Sequence, residues 1–77
     1  MEQRRVEVTA YAGYRSGESP RSFVLEGKRI IVAEIVGRWI EESAEDRHQK
    51  RFFRIKGDDG FIYLLSYIEQ TGEWFLE

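Results

Sequence analysis

A chain of 77 residues with no cysteine must form one small domain held by packing alone, without disulfides to staple it. At this length only roughly 60% of the unfolded surface is buried, so the eleven aromatics (two Trp, four Tyr, five Phe) must supply much of the core. A net charge of −2 favours no polyanionic partner overall, and the longest apolar runs, Ile30–Ala33 and Phe61–Leu65, are far too short to cross a bilayer.

The charge is unevenly spread. Residues 1–56 hold all twelve basic residues and nine acids, whereas residues 57–77 hold five acids and no base. The start, Met1-Glu2-Gln3-Arg4-Arg5, runs directly into alternating sequence with no apolar run of the signal-peptide kind. With the lack of cysteine this sets the expectation of a cytoplasmic, reducing setting and no membrane partner.

In chain order, Arg5–Tyr11 alternates Val6, Val8 and Ala10 with Glu7, Thr9 and Tyr11, the two-residue period of a half-buried strand. Gly13–Pro20 reads as a loop. Arg21–Glu26 reads as a second strand with Phe23 and Leu25 on one face, and Glu26-Gly27 as a tight hairpin turn. Lys28–Glu42 supports two readings. Ile30, Ile31, Val32, Ile35 and Val36 favour a strand by β-branching, and Gly37 suits a bulge within it. Yet Ile35, Val36, Trp39 and Ile40 also share a helical face, which leaves a helix within Ala33–Arg47 as the alternative. The strand is the preferred reading, since a mid-helix Gly costs about 1 kcal/mol relative to Ala.

Ser43–His48 is polar and reads as a loop, with Ser43 and Asp46 spaced for one capped helical turn. Gln49–Lys56 is the fourth strand and Gly57-Asp58-Asp59-Gly60 the clearest turn. Phe61–Ile68 carries no charge, as expected of a strand buried on both faces. Glu69–Gly72 forms a turn before a last strand, Glu73–Leu76. No internal repeat is visible. Five or six short strands joined by tight turns imply an all-β meander across residues 1–77. Because Phe52/Phe53, Tyr63/Leu64 and Trp74/Phe75 are apolar on both faces, the sheet should curl into a small antiparallel barrel of SH3-like kind, or have a partner on its second face. The expected core is Val6, Val8, Phe23, Leu25, Ile31, Ile35, Trp39, Phe53, Ile55, Ile62, Leu64 and Trp74.

The search for chemistry returns little. The single histidine, His48, has no cysteine to join it in a zinc site, and Asp58-Asp59-Gly60 lacks the later acidic ligand of a calcium loop. Ser16, Ser19, Ser22, Ser43 and Ser66 sit in no nucleophile elbow, and no Gly-rich phosphate loop is present. Glu41 and Glu42, like Asp58 and Asp59, are adjacent, and neighbours on a strand point to opposite faces. No catalytic residue, metal or cofactor is therefore expected. Two binding features remain. Arg47, Lys50, Arg51 and Arg54 interleave with Phe52 and Phe53, a pattern able to hold phosphates and stack bases, or simply to face acids on a neighbouring strand. Tyr11, Tyr14 and Arg15 form an aromatic loop suited either to recognising a partner or to plugging a barrel end.

The motifs Tyr11-Ala12-Gly13-Tyr14, Pro20-Arg21-Ser22-Phe23, Val32-x-Glu34-Ile35 with Trp39, Phe52-Phe53-Arg54-Ile55, Asp58-Asp59-Gly60 and Trp74-Phe75-Leu76 resemble a group of small uncharacterised bacterial β-domains. A similar pattern occurs in the domain of unknown function at the C-terminal end of some ImuB-like Y-family DNA polymerase relatives. Those versions often carry a longer Gly- or Trp-rich insert where Glu42–Gln49 is short and polar. The resemblance implies a bacterial, cytoplasmic protein and no known activity. The sequence thus leads to a non-catalytic module that binds a protein partner or itself, with an accessory nucleic-acid-binding domain as the alternative; which partner, the residues do not say.

Overall fold

The computed structural model describes residues 4–12, 18–42 and 49–77. Six strands follow one another: β1 (Arg4–Ala12), β2 (Glu18–Leu25), β3 (Lys28–Glu42), β4 (Gln49–Gly57), β5 (Ile62–Ile68) and β6 (Glu73–Leu76). Each pairs antiparallel with the next, and β6 returns to β1, so the meander closes into a barrel. Closure removes most exposed edges, which limits how much of the sheet is left to pair with another chain.

Lys28–Glu42 is one fifteen-residue strand, so the helical alternative fails over Ala33–Glu42. Between paired Leu25 and Lys28, Glu26 (φ 53°) and Gly27 (φ 79°) both take positive φ, the two-residue turn whose twist matches a hairpin. Glu18–Pro20, expected in the loop, instead opens β2. Thr9 faces Ser22 and Ala10 faces Pro20, so Arg21 is the extra residue of a bulge, and proline tolerates such a position because it has no N–H to give. The rest of the expected loop, and all of Ser43–His48 with its capped turn, lies outside the described residues.

Two strands make the corners. β1 pairs with β6 through Arg4–Val6 and with β2 from Glu7 onward. β3 pairs with β2 through Lys28–Ile31 and with β4 from Val32 to Glu42. Inside lie Val6, Phe23, Ile30, Phe53, Ile55, Leu65 and Trp74, with Val8, Leu25, Val32, Ile35, Tyr63 and Tyr67 packed around them.

Four expected core residues are corrected. Ile31 and Ile62 are exposed, Leu64 is half-buried on the outer face, and Trp39 lies half-buried outside the core. Ile30 and Leu65 take the inward places instead. The cause on β3 is a pair of register shifts, between Val32 and Glu34 and between Ile35 and Gly37. Each inserts one residue and reverses which parity faces inward, so no single alternation describes the strand. On β5 both faces are apolar and alternation carries no signal. That strand is buried on both faces only at its middle, where Leu65 and Ser66 are fully enclosed.

Candidate interaction surface on strands β3 and β4

Directly opposed residues of antiparallel strands share a face. The register therefore draws a row along the outward parity of the sheet: Trp39, Phe52, Ser66, Phe75 and Arg5, one from each of β3, β4, β5, β6 and β1, with Phe52 and Ser66 themselves buried. The Trp39 and Phe52 rings stack at 5.4 Å between centroids and 11° from parallel. Each ring carries a cation. The Arg54 guanidinium lies 5.4 Å from the Trp39 centroid, and Lys50 Nζ lies 5.4 Å from that of Phe52. The Trp39 indole N–H donates to Glu41 Oε2 at 3.2 Å.

Of the three described cations weighed for nucleic-acid binding, Lys50 and Arg54 share one face and Arg51 lies on the other. Lys50, Phe52, Arg54 and Lys56 face outward, whereas Arg51 shares the inward parity of Phe53 and donates to the Glu69 carboxylate. Lys50 Nζ is 3.5 Å from a Glu77 carboxylate oxygen, which also accepts the hydroxyl of buried Ser66. Lys56 stands opposite Glu34, and Lys50 opposite Glu41. Arg47 lies outside the described residues. So do Tyr14 and Arg15 of the aromatic loop; of Tyr11 only the backbone is described, paired with Ser19.

Beyond the Ser22–Ile31 pair, β2 and β3 part. Among the described residues, β3 from Val32 to Glu42 has a partner on its β4 side only, which leaves its other edge open. Between the separated strands lies a cleft of about 300 Å³, lined by Ser19, Arg38, Ile40, Arg51 and Phe53 among others. Exposed apolar residues concentrate on this strand: Ile31 (51%), Val36 (50%) and Ile40 (51%) are three of the five large ones among the described residues. Sequence reasoning passed over Val36, Arg38 and Ile40 as site residues. Their only signal was an excess of β-branched residues on a strand too long for the barrel to pair on both sides. A larger hollow of about 620 Å³ between β1, β2 and the turn before β6 is lined by charges of both signs. There Arg5 pairs with Glu73 at 3.7 Å and Arg29 donates to Ser22 Oγ at 3.2 Å.

Asp58 and Asp59 serve the fold. Asp58 Oδ1 accepts the Ile31 N–H at 3.3 Å, and the Asp58 N–H donates to the Ile31 carbonyl at 2.8 Å, tying the β4–β5 turn to the β3 corner. Asp59 accepts the Phe61 N–H at 3.0 Å and the Tyr63 hydroxyl at 2.6 Å. The Tyr63 bond, then the Phe61 bond, hold the Asp59 carboxyl below its ordinary value. That same bond, then burial, pushes the Tyr63 phenol up to about 12. The Asp59 contribution to stability is present above the ordinary carboxylate range and lost as pH falls through its lowered folded value. The Tyr63 contribution is present below the ordinary phenol value of about 10 and lost as pH rises through about 12. An ultraviolet titration is expected to show Tyr63 ionising late, and Asp59→Asn to return it toward the ordinary range. A late step that persists unchanged in that variant would break the assignment.

Among the described residues, no group of three or more His, Asp or Glu is placed to hold a metal ion. Compared with models of known families, with characterised proteins and with solved structures, the chain finds no significant match.

Proposed function

We propose that this domain is a non-catalytic interaction module that binds a polypeptide through the edge of β3. One observation carries the reading: the strand whose edge is left open among the described residues is also the strand that exposes Ile31, Val36 and Ile40. An open edge offers backbone donors and acceptors in the spacing of an extended chain, and apolar side chains beside it give such a chain something to bury. The resemblance to small bacterial β-domains, some attached to ImuB-like polymerases, fits a cytoplasmic accessory role. Nucleic-acid binding by β4 has weaker support, since Lys50 and Arg51 are already engaged by Glu77 and Glu69.

A photo-crosslinking amino acid placed at Ile40 in the full chain, expressed in its host, tests this. Discrete protein adducts are expected from position 40 and not from Glu7, which is exposed on β1. Adducts only with nucleic acid, or none, would sink the reading.

A further inference from the structure

Resting on that reading, we infer that the occupant of the β3 edge is the β3 edge of a second copy, paired antiparallel about a two-fold axis through Ile40. After its second register shift β3 runs regularly from Gly37 to Glu42 against β4. Arg38, Ile40 and Glu42 therefore share one face, and Gly37, Trp39 and Glu41 the other. A two-fold axis normal to the sheet keeps each face on its own side, so residue i can oppose only a residue of its own face. Centred on Ile40, the pairing sets Arg38 of each copy opposite Glu42 of the other, and Ile40 opposite itself. On the other face it sets Trp39 opposite Glu41, the two groups already hydrogen-bonded within one chain.

The neighbouring centres are worse. Centring on Arg38 opposes two guanidinium groups, and centring on Glu41 opposes two carboxylates. Centring on Trp39 leaves Arg38 facing Ile40 and Glu41 facing Gly37. The segment is thus self-complementary in charge at the one register that also brings its exposed isoleucines together. Like charges directly opposed are destabilising in such pairs and opposite charges stabilising, so charge selects both register and partner. The interface is short, and the dimer it makes is a reversible one.

The test is a charge swap read by sedimentation equilibrium across a wide concentration range. Arg38, Ile40 and Glu42 are all exposed, so the variants keep the fold, which circular dichroism verifies. The unaltered chain is expected to show a monomer–dimer equilibrium. Arg38→Glu alone and Glu42→Arg alone should each weaken the dimer by about tenfold, because each places like charges opposite one another twice. The double variant restores the opposite-charge pairing and should return to within about threefold of the original. A monomer at all concentrations, or a double variant as weak as the singles, overturns the inference. Crosslinks from position 40 to a different polypeptide, with no product at twice the chain mass, would also overturn it while leaving the broader reading intact.

Discussion

Trp74→Ala is expected to abolish cooperative folding. Its indole is buried between the Phe53 ring at 5.6 Å and the Tyr67 ring at 4.7 Å, on the strand that closes the barrel against β1. A buried tryptophan removes about 200 Å² from water, and truncating one leaves a cavity that costs about 3–5 kcal/mol. A domain of this size holds only about 4–12 kcal/mol in total, so a large share of its stability goes with the ring. Trp39→Ala is the matched comparison. Trp39 stacks on Phe52 outside the core, and loss of such a pair costs about 0.5–1.5 kcal/mol. A urea melt of Trp39→Ala should keep a clear transition at a modestly lower midpoint, while Trp74→Ala shows none. Equal melts for the two would mean that the assignment of inside and outside is wrong.

The two tryptophans also mark the limit of what could be read from the residues. The barrel was legible because turn chemistry and β-branched runs are local: Glu26-Gly27, the Asp58–Gly60 turn and the ends of β3 all stand where composition puts them. Facing was legible where a strand alternates, as with Phe53 and Ile55 inward on β4. It was not legible on β3, where two inserted residues turn Ile31 and Trp39 outward, because a bulge is set by the fit between two strands and leaves no local mark. Charge alone left two readings of the β4 cations open, phosphate binding or pairing with acids on a neighbouring strand, for a physical reason. The acids that engage Lys50 and Arg51 come from Glu77 and Glu69, distant in sequence and brought near only by the β4–β5–β6 pairing. The edge that β3 leaves open among the described residues was beyond reach for the same reason: β2 pairs with β3 only as far as Ser22, a property of two strands and not of either alone.

Gly57→Ala is expected to destabilise the domain by about 1–3 kcal/mol, although it adds one carbon. Gly57 is buried at the end of β4, and a Cβ there would stand 2.7 Å from Ile30 Cγ2, 2.7 Å from Asp59 Oδ1 and 3.2 Å from Tyr63 Cε2. Ile30 is β-branched and fixed in the core, so it has little freedom to turn aside. Asp59 is the softer neighbour, but it is held by the Phe61 N–H and the Tyr63 hydroxyl, and moving it gives up both bonds. The backbone has no slack either, since the Gly57 N–H donates to the Phe61 carbonyl at 2.8 Å and its own carbonyl accepts the Gly60 N–H at 2.9 Å. Two readouts should therefore change together. The denaturation midpoint falls, and the late ionisation of Tyr63 moves down from about 12 as its acceptor is pushed away. A lower midpoint with the Tyr63 ionisation unmoved would put the strain on Ile30 alone. An unchanged midpoint would mean that the turn has room for the methyl group and that the close approach of β4 to Ile30 is not what requires glycine.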